Sequence, residues 1–166
     1  MDLLTEDPDW AVAVPDLADL ADNAVCAALE GAGRRPEDWQ VALMACSNAR
    51  IAALNASFRG KSDPTDVLSW PAFETAPDVA PAPRTHLGDI ALAFGVCRKD
   101  ADALGIALKD HATHLIVHGC LHLLGFDHFE PEEAAKMEGM EVRALETLGI
   151  QDPYRRRDAG GPRPDR

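Results

Sequence analysis

The sequence is poor in the features that mark membrane, secreted and nucleic-acid-coating proteins. It has no long apolar run. The longest stretch free of Asp, Glu, Lys and Arg runs from His111 to Phe126, and four of its residues are histidines, which excludes a lipid-facing helix. Met1-Asp-Leu-Leu-Thr-Glu-Asp-Pro-Asp9 is acidic where a secretory signal is basic, so the expected compartment is the cytoplasm, with no membrane partner. Cysteine is sparse: Cys26, Cys46, Cys97 and Cys120 are widely spaced, with no C-x-x-C pair. That argues against a disulfide framework and for buried free thiols. Positive charge is scarce, with 16 Lys and Arg against 28 Asp and Glu and a formal charge of −12. Indiscriminate binding to nucleic acid runs on phosphate neutralisation and is disfavoured by that balance. The exception is the stretch from Tyr154 to Arg166, where five Arg face two Asp. Any polyanion partner therefore needs a local basic patch on an acidic background.

What is present is an ordinary globular composition, 46% apolar and 27% charged over 166 residues. The expectation is a single domain over residues 1–153, followed by a basic, disordered tail over 154–166. Trp10 to Val14 alternates large and small apolar residues before Pro15 and predicts a short strand. Asp16 is placed to cap a helix reaching about Glu30 and ending at Gly31 or Gly33. Val41 to Cys46 is continuously apolar and predicts a strand buried on both faces. Ser47 or Asn48 opens a helix that stops at Gly60. Further strands are predicted at Val67 to Trp70 and Leu87 to Phe94, with helices at Val96 to Leu104, Asp110 to Leu124 and Pro131 to Gly149. Between Pro71 and His86 four prolines mark a long loop, read as a binding loop or mobile flap. The resulting fold class is α/β (α+β-like): one small mixed sheet of about four strands flanked by about five helices, with a metal site on a central helix and the turn after it.

The chemistry concentrates in the segment from His111 to His128. At about 100° per residue, His111, His114, His118 and His122 fall within roughly 80° of helix circumference. The rest of that helix is Ile116, Val117, Leu121, Leu123 and Leu124. Burying four unpartnered imidazoles is expensive, so something polar must face them. His118 and His122 point two rings at one ion, and Gly125 turns the chain so that His128 supplies a third nitrogen. Three histidines leave one tetrahedral position open, the catalytic form of a zinc site, so one Zn²⁺ per chain is expected. The bland alternative is a buried helix with hydrogen bonds between rings. The spacing H-x-x-x-H-x-x-G-x-x-H echoes the metzincin motif, but Gly119 stands where a metalloprotease carries its general-base Glu.

Several segments together resemble the YbeY-type endoribonucleases, also described as rRNA maturation factors. They are Leu54-Asn-Ala-Ser-Phe-Arg-Gly-Lys61, Pro64-Thr-Asp-Val-Leu-Ser-Trp-Pro71, Leu87-Gly-Asp-Ile90, His118 to His128, and Leu148-Gly-Ile-Gln-Asp-Pro-Tyr154. The resemblance implies a zinc-dependent, single-strand-specific endoribonuclease acting in rRNA (16S 3′-end) maturation and ribosome quality control. It also implies zinc on His118, His122 and His128, a functional Arg59, and partners that include single-stranded rRNA and the ribosome or small-subunit proteins. Phe58 and Phe126 stand where Tyr is usual and Trp70 where Phe is usual, so packing roles carry over and phenolic ones do not.

Arg59 is read as a phosphate-binding and catalytic guanidinium, with Lys61 as a second substrate-binding cation. Asp127 adjoins a ligand and is expected to orient an imidazole. His114, one turn before His118, is a candidate proton shuttle or RNA contact, and His111 is read as structural. Asp66 and Asp89 are read as turn-capping and hydrogen-bonding residues, and Cys120 as core. Trp70, Phe73 and His86 are either core or base-stacking groups. The general base is not identified, and attack by water and by a ribose 2′-hydroxyl both stay open. Two rivals remain: a metalloprotease, and a non-catalytic maturation factor in which zinc only fixes the fold.

Overall fold

The apolar run ending at Cys46 needs cover on both faces, and it becomes an inner strand. The structure is a computed structural model describing residues 1–155. Of the tail expected over 154–166, only Tyr154 and Arg155 fall within it. Four strands, β1 (Asp2–Thr5), β2 (Trp39–Cys46), β3 (Val67–Pro71) and β4 (Thr85–Ala93), form one sheet in the order β1-β2-β4-β3. The β1–β2 and β2–β4 pairs are parallel, and β3 is an antiparallel edge strand on β4. The described helices are α1 (Pro8–Ala13), α2 (Leu17–Gly31), α3 (Asn48–Arg59), α4 (Phe94–Leu104), α5 (Leu108–Leu123) and α6 (Pro131–Thr147).

Strand alternation assigns the two faces of the sheet. Val41, Leu43, Ala45, Ile90 and Leu92 join the larger core with α2, α5 and α6. Cys46, Leu68, Ala91 and Ala93 join a smaller one with Ile51 and Leu54 of α3. Helix α5 is enclosed on all sides, with every residue from His111 to Leu121 buried. Gly119 permits this closeness: a Cβ there would lie 3.1 Å from Ile90 Cδ1 of β4.

A bulge in β4 lies against the end of α5. Gln40 pairs with His86 but Val41 with Gly88, leaving Leu87 as the extra residue. Gly88 takes φ +153°, and a Cβ on it would stand 2.4 Å from the Trp70 carbonyl oxygen and 2.7 Å from Leu123 Cδ2. Only glycine lets β3, β4 and the end of α5 meet there.

Two expectations need correction. Trp10 to Val14 is not a strand but lies mostly within α1, which brings the helices to six. Asp7 caps that helix through its side chain, Pro8 sits in its first turn, and Trp10 is buried. The Asp-Pro start signal outweighs five residues of alternation. The true first strand, β1, is short and largely exposed, so its sequence carries no burial pattern. The loop between β3 and β4 packs back onto the domain. Asp78 pairs with Arg34 at 3.0 Å, Ala76 is buried, and Phe73 packs edge-on against Trp39. Of the four free thiols, Cys46, Cys97 and Cys120 are buried as expected, while Cys26 is partly exposed.

Candidate metal centre

The central helix, the turn after it and α6 build the site together. Helix α5 ends at Leu123, and Gly125 at φ +95° reverses the chain, bringing His128 back toward the helix. One ring nitrogen each from His118, His122 and His128 lies within 4.8 Å of the others. His118 is buried, while His122 and His128 are partly exposed, so the cluster opens to solvent on one side. This is the trio that the spacing predicts.

The hydrogen bonds fix which nitrogens face inward. A carboxylate and a carbonyl can only accept. His118 Nδ1 therefore donates to Glu141 Oε1 at 2.5 Å, and His122 Nδ1 donates to the Phe126 carbonyl at 2.9 Å. With both rings neutral, both Nε2 atoms carry lone pairs, and they stand 3.0 Å apart. Two lone pairs at that distance repel unless a cation joins them. Burial, aided by the neighbouring His118 and His128, pushes the His122 pKa down to about 4. Nitrogens held about 2.0–2.1 Å from a tetrahedral ion lie about 3.3 Å apart, close to the spacing found. The residues fit a metal ion.

Glu141, on α6, is the functional residue that the sequence reading missed. It is fully buried, and one carboxylate serves three donors: His118 through Oε1, and His114 Nε2 (2.8 Å) and the Tyr154 hydroxyl through Oε2. Burial pushes its pKa up, but the hydrogen bonds from His114 and His118 outweigh this and hold it well below the usual carboxylate range. Tyr154, assigned to the tail, is anchored here against Glu141 and the edge of the His114 ring.

The other predicted site residues divide. His114 is only 3% exposed and lies behind His118, on Glu141. The Asp127 carboxylate accepts from the backbone N–H of His128 at 2.7 Å, shaping the turn that delivers the third imidazole, and its charge also acts on the His122 ring. Arg59 and Lys61 are exposed, at the end of α3 and just beyond Gly60, whose φ of +67° caps that helix. Among the described residues, neither cation forms an ion pair. Asp66 accepts from the Val67 N–H, in keeping with a turn-capping role, and also groups with Asp100 and His111 away from the three-histidine cluster. Asp89 lies beside His86 at 3.4 Å. Cys120 is core, its thiol pushed up to about 12 by burial and the nearby Cys26. Trp70 meets the exposed Phe58 at 5.5 Å.

A mixed sheet backed by a buried helix that gathers three imidazoles defines an α/β protein with a histidine site compatible with metal binding. The profile of the family described as Endoribonuclease YbeY matches residues 5–149. A protein of that name from Ruegeria pomeroyi is 50% identical over 164 residues, covering 93% of this chain and 97% of its own. Another, from Maricaulis maris, is 44% identical over 96% of this chain and 94% of its own. The chain belongs to the Endoribonuclease YbeY family, hydrolases acting on RNA. The solution structure of TM1509 from Thermotoga maritima shares the fold, with a TM-score of 0.59 at 22% identity over 99% of this chain and 98% of that one.

Proposed function

We propose that this chain is a zinc-dependent endoribonuclease specific for single strands, acting in the cytoplasm in maturation of the 16S rRNA 3′ end and in ribosome quality control. The ribosome or its small-subunit proteins are its partners in this reading. The observation that carries the metal assignment is the approach of the His118 and His122 Nε2 atoms to 3.0 Å, with a His128 ring nitrogen within 4.8 Å of ring nitrogens of both. His118, His122 and His128 hold the ion, one per chain. A zinc ion bound there supplies Lewis acidity toward a phosphoryl oxygen and lowers the pKa of water.

The chain's own groups do the rest. Glu141 keeps His118 in the tautomer that ligates, and the Phe126 carbonyl does the same for His122. Asp127 holds the backbone of the third ligand. His114 donates to Glu141 and fixes that carboxylate, which makes it a positioning residue within the catalytic assembly. Arg59 binds a substrate phosphate and offsets charge as the transition state forms, with Lys61 as an auxiliary cation. A peptidase is disfavoured by position 119, where a side chain would be driven onto Ile90 rather than toward a substrate.

The test compares zinc content and cleavage of an unstructured RNA for the wild type and four variants. His118→Ala, His122→Ala and His128→Ala should each lose most of the zinc and the activity. Arg59→Ala should keep its zinc and fold and lose turnover more than binding. Full zinc stoichiometry in all three histidine variants would overturn the metal assignment. Undiminished cleavage by folded, zinc-loaded Arg59→Ala would leave Arg59 without a catalytic part.

A further inference from the structure

Among the described residues, two aromatic side chains stand out as exposed large hydrophobics, Phe58 at 66% and Phe129 at 82%. Phe58 has a partner in Trp70. Phe129 leans on His128, ring centroids 5.9 Å apart and planes tilted by 46°. It follows the third residue of the histidine cluster directly. An exposed benzyl group forgoes burial that nearly every other large apolar side chain here obtains, and this one sits at the open side of the site.

The charges around it restrict what it can meet. Asp127, Glu130, Glu132 and Glu133 crowd this turn and the start of α6, and Lys136 lies over the Phe126 ring at 5.3 Å. These carboxylates leave phosphate contacts to the histidine site and to Arg59. A nucleobase is uncharged and offers a π-face that an exposed ring can stack on whatever the base identity. Stacking also adds to the limited affinity that a chain of net charge −12 gains from few phosphate contacts.

We infer that Phe129 is a base-stacking subsite that takes an unpaired nucleobase of the nucleotide adjoining the reacting phosphate. A base held in a duplex cannot present its face to a ring at this turn, so the subsite favours unpaired over paired strands. The inference rests on the endoribonuclease reading and adds a specificity-determining residue to it.

The test uses Phe129→Ala, Phe129→Leu and Phe129→Trp in the zinc-loaded full chain. On an unstructured oligoribonucleotide, Phe129→Ala should raise KM about 5- to 150-fold, the range that one base–aromatic stack supplies, with kcat and zinc content held. Phe129→Trp should restore KM and Phe129→Leu should not, because the leucine is apolar without a π-face. Adenosine monophosphate should quench the added fluorescence of Phe129→Trp, and inorganic phosphate should not. An unchanged KM in Phe129→Ala, full rescue by leucine, or equal quenching by phosphate each overturns the proposal. So does a defect seen only on ribosomal particles, which would make Phe129 a protein-docking residue. Failure of the wild type to cleave RNA would instead overturn the endoribonuclease reading, while nucleotide quenching would still report on the stack.

Discussion

Replacing Glu141 by Gln tests how the buried carboxylate supports the histidine cluster. The change keeps the shape and removes the charge. Oε1 now accepts from His118, and Oε2 from His114 and Tyr154. An amide retains one accepting oxygen and puts two N–H donors where the other was, so one group of donors meets a donor. Each hydrogen bond to a charged acceptor is worth about 1.5–3 kcal/mol. Relief of the desolvation cost of a buried carboxylate offsets part of the loss, which leaves a net destabilisation of about 2 kcal/mol. Zinc affinity should fall by about 10- to 100-fold, the usual effect of removing a partner that orients a ligating histidine. Urea unfolding of zinc-free protein reads the first effect, and competition with a chromophoric chelator reads the second. Glu141→Asp, which keeps the charge on a shorter arm, should lie between the wild type and Glu141→Gln in affinity. If Glu141→Gln bound zinc as tightly as the wild type, the carboxylate would not be holding His118 in its ligating tautomer, whatever happened to stability.

Gly88→Ala should cost about 2–3 kcal/mol or more, because its Cβ would collide with backbone as well as with Leu123; a shift in the urea midpoint measures it. Gly119→Glu should lower stability and create no casein-cleaving activity, and robust proteolysis by either form would refute the nuclease reading. Ellman's reagent should reach Cys26 in the native protein and all four thiols only after unfolding. Burial raises the Cys46 thiol to about 11 and Cys120 to about 12 from an ordinary 9.0, and raises Cys97 as well. The unfolded chain therefore releases these protons first, and stability should decline as pH rises above about 9 toward 12. A flat unfolding free energy across that range would contradict the burial of the three thiols.

The parts of the fold legible in the sequence are those where one signal acts alone. Val41 to Cys46 has no polar residue to place on a solvent face, so its burial follows from composition. Helix α3 has its start and stop written in Ser47 and Gly60, both used as such. Trp10 to Val14 fails because two local signals compete, and the alternating pattern is weaker than a cap followed by proline. Strand β1 fails for the opposite reason: its neighbour β2 supplies the pairing, and its own side chains are mostly exposed. The Gly88 contact depends on three elements meeting and has no local signature beyond the glycine itself.

Within the candidate site, the histidines are legible because helical periodicity brings His118 and His122 to one stripe and Gly125 marks the turn that returns His128. Their supporting groups lie on another helix, where only the packing register tells which side chain arrives. A signal for Glu141 did exist. Helix α6 buries Met137, Met140, Ala144 and Leu145, and residue 141 falls on that same stripe by its spacing of four from 137 and three from 144. A carboxylate placed among apolar residues on a helix needs a buried donor, and a helix carrying four imidazoles needs a buried acceptor. Each requirement is readable from its own segment, and together they pair α5 with α6. Asp127 adds a contact that adjacency alone does not specify: a residue next in sequence to a ligand reaches the ligand's backbone easily, and Asp127 accepts from the His128 N–H while its charge acts on the His122 ring.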